Sequence, residues 1–446
     1  MRKEWVLRGS NEEKIKKMAE SMNIDSFVAK LLINRGIEDI HEAEKFLNPR
    51  KEDLHDPYLF KDMEKAVKII LEAGQKEDPI VIFGDYDVDG VTSTALLYNS
   101  FKELGFNVGY YIPLRLEEGY GLNNESINDL KDQGYKLIVT VDCGVTSVEE
   151  VSFAKNLGMN VVITDHHETK DSLPPADAII NPKVSGENYP FLGLAGVGVA
   201  FKLLTAINQK LNNPLNLFDF LDIVALGTIA DIVPLLDENR FIVKEGTKIL
   251  KTNPSPGINC LFKYLRIYKE NLTAKDVAFK IAPKINAAGR MGSAITALKL
   301  LVSDQVEDVP KTANSLIKYN NLRQNIEAKI FEQAKKKIES KKSFEKDKVL
   351  VISGDGWHLG VLGIVASRLV GIYNKPVFLV SISDGIGKGS ARSPGQISLI
   401  NLLNNVKNNI LQDYGGHEMA AGFSVAENKI DNLRKELNEA YKNLYK

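Results

Sequence analysis

From residue 79 the hydrophobic pattern is regular. Short apolar runs, "IVIF" (80–83), "NVGYYIP" (107–113), "LIVTV" (137–141) and "NVVIT" (160–164), alternate with longer amphipathic stretches such as "GVTSTALLYNSFKELG", "NNESINDLKDQG" and "SVEEVSFAKNLG". Continuous apolar runs too short for helices, separated by helix-length segments, predict a parallel sheet with helices on both faces. Upstream, 1 to about 75 reads as helical, with amphipathic runs "SFVAKLLINRGI" and "DMEKAVKIILEAG". Residues 191–230 read as helical again. The Lys-rich stretch 312–348 places Leu322, Ile326 and Ile330 four apart, which predicts one long helix with a single apolar stripe, serving as a linker. A second α/β pattern begins at "VLVIS" (349–353), continued by "GVLGIVASRLVGIY" and "PVFLVSI". The expected organisation is a helical part (1–75), a parallel α/β domain (76–305), a helical linker (306–347) and a smaller α/β domain (348–446).

The chemistry gathers where the predicted strands end. "VIFGDYDVDG" (81–90) crowds Asp85, Asp87 and Asp89 behind one strand, and like charges so close need a positive partner. The spacing matches the start of a calcium loop, but the twelfth position is Leu96 rather than glutamate, and the segment follows a strand, not a helix. "LIVTV" ends in Asp142-Cys143-Gly144, and "NVVIT" ends in Asp165-His166-His167. The carboxyl ends of parallel strands share one edge, where ligand sites form. Asp231 adds a further carboxylate, embedded in the apolar run "IVALGTIADIVPL". Taken singly, an aspartate ending a strand is a turn or helix cap and His167 a packed, hydrogen-bonded ring. Together they predict a metal site. Carboxylates with one or two imidazoles suit Mg²⁺ or, with a His ligand, Mn²⁺. This many carboxylates can hold two ions about 3.5–4 Å apart, an arrangement that hydrolyses phosphate esters.

Bulk properties add little. With 57 Lys plus Arg against 58 Asp plus Glu, net charge neither supports nor excludes a nucleic-acid partner. Two cysteines, Cys143 and Cys260, give no disulfide framework and suggest a reducing compartment. The charged N-terminus reads as no signal peptide, and no apolar stretch is long enough to span a membrane. A soluble, cytoplasmic protein is expected.

"GDYDVDG", "VDCG" (141–144), "DHH" (165–167) and Asp231 resemble the DHH phosphoesterase superfamily, most closely its RecJ branch of single-strand-specific 5′→3′ DNA exonucleases. The likeness runs through "LLINRGIEDIHEAEKFLNP" (31–49), "YIPLRLEEGYGL" (111–122), "LAGVGVAFKL" (194–203) and "INAAGRMG" (285–292). It continues in "GDGWHLGVLGIVASRL" (354–369), "GKGSARS" (387–393) and "YGGHEMAAGFS" (414–424), which resemble a DHHA1 domain. The resemblance implies that Asp85, Asp87, Asp89, Asp142, His166 and Asp231 hold two ions, Mn²⁺ favoured over Mg²⁺, with Asp142 bridging. His167, Asp142 and Asp165 would serve catalysis, His167 contacting the scissile phosphate. Arg115, Ser390 and Arg392 would form a 5′-phosphate pocket, and Arg290, Gly415, Gly416 and His417 would bind further phosphates. "GLAGVGVA" is no dinucleotide fingerprint, because no strand precedes it, and reads as close helix packing.

The implied activity is hydrolysis of single-stranded DNA to 5′-mononucleotides in repair and recombination, with a single-strand-binding protein and a helicase as candidate partners. Many bacterial members carry an oligonucleotide-binding fold after the DHHA1 domain, whereas this sequence stops at Lys446. Weaker, more salt-sensitive strand binding than in such members is expected. Two readings compete: a phosphodiesterase of the same fold acting on short oligoribonucleotides or small phosphates, and a non-catalytic scaffold. RecJ-like segments outside the metal site weigh against the first, and intact metal positions against the second.

Overall fold

Both faces of the first predicted strand are buried. In β1 (Ile80–Gly84), Ile80 and Ile82 enter one hydrophobic cluster while Val81 and Phe83 enter another. That two-sided burial is why the strand reads as an uninterrupted apolar run. The structure, a computed structural model, describes residues 11–445 except Leu116, Asp171, 303–307, 341–345 and 407–408. Parts of the expected linker, 306–307 and 341–345, therefore lie outside the described residues.

Before β1 come α1 (Glu12–Met22), α2 (Ser26–Ile33), α3 (Ile40–Leu47) and α4 (Met63–Gln75). The first three start at Asn11, Asp25 and Asp39, whose side chains accept hydrogen bonds from the first amides. They close a small core of their own around Ile15, Met18, Leu32 and Ala43. After β1 follow α5 (Val88–Glu103), β2 (Val108–Tyr111), α6 (Asn124–Asp132), β3 (Leu137–Val141), α7 (Val148–Asn156), β4 (Asn160–Thr164) and β5 (Ala178–Ile180). The five strands are parallel in the order β2-β1-β3-β4-β5. The chain runs outward from β1 to β2 and then crosses back to β3. The reversal between β1 and β3 is the switch point at which open α/β sheets leave a crevice.

A helical stretch follows: α8 (Gly196–Gln209), α9 (Leu221–Ala230), α10 (Asp237–Thr252), α11 (Pro256–Leu265), α12 (Ala274–Asp276), a π-helical turn (Val277–Ile281), α13 (Ala282–Met291) and α14 (Ile295–Val302). α5, α8 and α9 pack on one another over one face of the sheet.

The chain forms two compact units. One holds residues up to Pro113, Tyr120–Asn286 and Ala294–Asn314; the other holds Leu114–Gly119, Ala287–Ser293 and the residues from Ser315 on. The long helix α15 (Val309–Ser340) passes from the first to the second. Leu322, placed on its apolar stripe from sequence, is 48% exposed. The second unit's part of the helix buries Glu327, Ile330, Phe331, Ala334 and Ile338 instead. Steps of four overshoot a full turn, so Leu322 lies roughly 80° around the helix from Ile330.

The second unit continues with β6 (Leu350–Asp355), α16 (Leu359–Tyr373), β7 (Val377–Ser383), β8 (Ile386–Arg392), α17 (Leu399–Asn404), β9 (Leu411–Gly416), β10 (Ala420–Ala426) and α18 (Ile430–Leu444). Its sheet is mixed, in the order β6-β7-β8-β10-β9, with only β6 and β7 parallel. No described helix is long and apolar enough to cross a membrane.

Candidate metal centre

Backbone pairing sets out the site before any side chain is considered. Gly84 pairs with Val141, and Val141 with Thr164, so β1, β3 and β4 end level. The next residue of each is aspartate: Asp85, Asp142 and Asp165. Adjacent strands lie about 4.8 Å apart, so the three form a row across the sheet edge. Asp142 leaves its strand with φ +60°, a left-handed conformation that aspartate tolerates better than most residues.

The side chains are built from several elements. Asp87 caps α5, its Oδ1 accepting from the amides of Asp89 at 2.8 Å and Gly90 at 3.2 Å. The capping role of a lone aspartate is thus real here, yet Asp87 still stands with Asp85 and Asp142 in a group whose ligand atoms lie within 4.8 Å of one another. Asp89 is buried, and its two oxygens accept from the first amides of α8: Oδ2 from Gly196 at 2.6 Å, Oδ1 from Val197 at 2.9 Å. "GLAGVGVA" is therefore a helix N-terminus that receives a carboxylate.

His166 Nε2 faces three carboxylates: Asp142 Oδ1 at 3.1 Å, Asp231 Oδ2 at 3.7 Å and Asp89 Oδ2 at 3.8 Å. The backbone of Leu194 lies close to the ring and favours its charged form. Burial, and then His167, push the His166 pKa down to about 4. The ring is neutral at physiological pH, the state a metal ligand needs.

Asp165 is fully engaged. Its Oδ1 accepts from the amides of His166 (2.7 Å) and His167 (3.1 Å) and lies 2.8 Å from His167 Nδ1, while Oδ2 accepts from Val145 N at 3.0 Å. Burial opposes charge on both partners, but their mutual hydrogen bond and attraction outweigh it, lowering the Asp165 pKa and raising that of His167. Tyr120, missed in the sequence reading, places its hydroxyl 3.2 Å from His167 Nδ1 and donates to Asp142 O at 3.2 Å. The only signal for it is its place in "EGYGL", where a tyrosine carries no spacing rule.

The donor set suits a divalent cation. Asp142–His166–His167, Asp89–His166–Asp231 and Asp85–Asp87–Asp142 form three groups of closely spaced ligand atoms. Asp142 Oδ1 is buried with no hydrogen-bond donor among the described residues. Burial and neighbouring carboxylates raise the pKa of Asp89 and Asp142, and that of Asp231 to about 7, first through burial and then through Asp87. A cation removes each of these penalties. All-oxygen groups beside imidazole-bearing ones match the preferences of Mg²⁺ and Mn²⁺.

Asp231 follows the last residue of α9, and the next residue, Ile232, has φ +64° and is 86% exposed. The turn carrying both is braced from α10. Asn239 Nδ2 donates to Pro234 O at 2.9 Å and to Gly193 O at 2.6 Å, and Glu238 pairs with buried Lys202 at 2.6 Å. A cavity of about 330 Å³ lined by Arg35, Phe46, Phe191 and Leu236 shares no residue with the carboxylates.

The residues expected to bind phosphate lie in the second unit. Arg392 Nη1 donates to Ser390 Oγ at 3.1 Å and to Ala391 O at 2.7 Å. Burial, and then the nearby charge of Arg115, lower the Arg392 pKa. Gly363 of α16 leaves room for Arg392, since a Cβ there would lie 2.6 Å from its Nη2. Arg290 Nη1 donates to Gly360 O at 3.1 Å. Gly415, Gly416 and His417 are exposed at the β9–β10 turn, where His417 N donates to Ala420 O at 2.7 Å. Ala420 pairs in turn with Arg392.

A parallel sheet with a carboxylate and imidazole edge, followed by a mixed-sheet unit, is the arrangement of a DHH–DHHA1 protein. Residues 79–228 match the DHH family, N-terminal domain, and 346–443 match the DHHA1 domain. The chain is 38% identical over 437 residues to the single-stranded-DNA-specific exonuclease RecJ of Bacillus subtilis, covering 98% of this chain and 55% of that protein. It is 37% identical over 421 residues to the RecJ of Haemophilus influenzae, covering 91% and 72%. Among solved structures, exonuclease RecJ bound to manganese superposes with a TM-score of 0.77 at 34% identity, covering 87% of this chain and 96% of that one. RecJ of Thermus thermophilus in complex with Mn²⁺ gives 0.84 at 30% identity, covering 98% and 62%. The chain belongs to the RecJ family. It spans about half the length of the Bacillus relative.

Proposed function

We propose that this chain is a metal-dependent 5′→3′ exonuclease that hydrolyses single-stranded DNA to 5′-mononucleotides. The observation that carries the proposal is the level row Asp85–Asp142–Asp165, with Asp142 common to two candidate metal groups, in a member of the RecJ family. In this reading Asp85, Asp87, Asp89, Asp142, His166 and Asp231 hold two divalent ions, Mn²⁺ before Mg²⁺. Such ions supply a hydroxide nucleophile and neutralise phosphate charge.

The chain's own residues do the remaining work. His167, tied through Nδ1 to Asp165, offers its other nitrogen to a phosphate oxygen and stabilises charge that develops there. Asp165 keeps that ring oriented and favours its protonated form, a positioning role supported by its four intramolecular bonds. Arg115, Ser390 and Arg392 take the 5′-phosphate, and Arg290 with Gly415, Gly416 and His417 holds phosphates further along. A cytoplasmic setting in repair and recombination, with a single-strand-binding protein and a helicase as partners, goes with this activity.

The test is incubation with Mn²⁺ and internally labelled DNA, single-stranded or blunt duplex, beside Asp142→Ala. Mononucleotides released from the 5′ end of the single strand alone, and lost in the variant, support the reading. Turnover of dinucleotides or small phosphates without DNA cleavage overturns it in favour of the small-substrate branch.

A further inference from the structure

The stretch from α11 to α13 is basic and sets aromatic rings in solvent. Between 263 and 284, Lys263, Arg266, Lys269, Lys275, Lys280 and Lys284 outnumber Glu270 and Asp276. Tyr268 is 77% exposed and Phe279 72%. A single exposed ring is ordinary on a protein surface. The setting of Phe279 is not. It occupies the π-helical turn Val277–Ile281, a rare geometry that concentrates at functional sites. Val277 and Ile281 are buried, and the turn packs against α9, the helix that leads into Asp231. Beyond the turn, Asn286 Oδ1 accepts from Val88 N at 3.1 Å, fastening the start of α13 to the loop of Asp85, Asp87 and Asp89. Asn286 lies seven residues beyond Phe279, about 10 Å of helical rise. The ring is thus anchored at both ends to elements that build the metal centre, while its own faces remain open.

We infer that Phe279 and Lys280 form an outlying contact for single-stranded nucleic acid, the ring stacking on a base and the ammonium meeting the backbone. This rests on the substrate reading above. Aromatic stacking within a basic surface is how proteins hold single strands without reading sequence. Lys280 lies 2.7 Å from Asp276, its own side chain 62% exposed and that of the aspartate 21%. An ammonium carries three donors, so one so exposed can meet a phosphate beside that carboxylate.

The experiment is fluorescence titration of a 20-nucleotide strand carrying 2-aminopurine, in EDTA so that nothing is cleaved. Wild type is compared with Phe279→Ala, Phe279→Trp and Phe27→Ala, the last a control 65% exposed in α2. Expected are at least about fivefold weaker binding and lost quenching in Phe279→Ala, with Phe279→Trp restoring both. The Phe27→Ala control is expected to behave as wild type, and the loss should shrink for a dinucleotide. Equal binding by Phe279→Ala and wild type overturns the inference while leaving the nuclease reading intact. A wild type that neither binds nor cleaves single strands overturns both. Sedimentation that shows a dimer lost only in Phe279→Ala, with strand binding unchanged, assigns the ring to self-association and also overturns the inference.

Discussion

Gly196 lies against the carboxylate of Asp142, so closely that a Cβ on the glycine would fall 2.6 Å from Oδ1 and 2.7 Å from the aspartate Cβ. The same residue donates its amide to Asp89. One position without a side chain therefore lets α8 close on two candidate ligands. Gly196→Ala should displace Asp142 or back the helix away from Asp89. DNA cleavage should fall by roughly 100-fold, the effect of a misplacement near 1 Å. Circular dichroism should remain native, and the Mn²⁺ concentration for half-maximal activity should rise. Unchanged activity would show that the helix can shift without moving the carboxylates.

Metal-free stability should depend on pH with a definite sign. Burial and then Asp87 raise the Asp231 pKa to about 7, from an ordinary 3.8. A raised carboxyl means the folded state binds more protons than the unfolded chain. Its contribution is complete below about pH 4 and is lost as pH rises through about 7. In EDTA the melting temperature should therefore fall between pH 5.5 and 8. Added Mn²⁺ should stabilise more at pH 8, where fewer protons need displacing. Asp231→Asn should flatten the EDTA profile. A flat wild-type profile in EDTA would contradict the proposed protonation.

Ile232 is a β-branched residue at φ +64° with its side chain in solvent. The left-handed region costs such a residue roughly 1–2 kcal/mol, and little burial offsets it. Ile232→Gly should raise the metal-free melting temperature by about 2 °C, after allowance for the greater freedom of an unfolded glycine. Scanning calorimetry reads this directly. A lower melting temperature would mean that the isoleucine is packed in solution.

Glu327 of α15 is buried between two arginines, with Oε2 2.6 Å from Arg323 Nη1 and Oε1 2.9 Å from Arg368 Nη1. Arg368 also stacks 4.0 Å from the ring of Phe331. Removing the carboxylate strands Arg323, 13% exposed, and leaves Arg368, 46% exposed, to solvent. Glu327→Ala should destabilise the second unit by about 3 kcal/mol. Urea unfolding followed through Trp357, which belongs to that unit's core, would report it. A loss under about 1 kcal/mol would rank the triad with ordinary surface pairs.

The strand ends were legible because a strand buried on both faces writes itself as an apolar run, and because the aspartates follow those runs directly or after one glycine. "GDYDVDG" and "DHH" therefore carry most of the centre in contiguous letters. What stayed hidden is what tertiary packing supplies. Nothing near Asp89 in sequence announces that Gly196 and Val197 will meet it. Tyr120 is one of 15 tyrosines, and only the fold turns its hydroxyl toward His167. Lys202 and Glu238 are residue types that belong at the surface, yet both are buried against each other. Leu322 shows the converse error, since rows of four drift around a long helix.

The level ends of β1, β3 and β4 also bear on how the protein folds. Ile80 pairs with Leu137, and Leu137 with Asn160, so the sheet is stitched from segments distant in the chain. Pairings of that kind form late, after the loops between them have closed. The carboxylates can converge only once those registers are set, and a slip of one residue would scatter them. The ion is then a ligand of the finished sheet alone, absent from the unfolded chain and from misregistered intermediates. Adding it should slow unfolding while leaving the rate of folding unchanged.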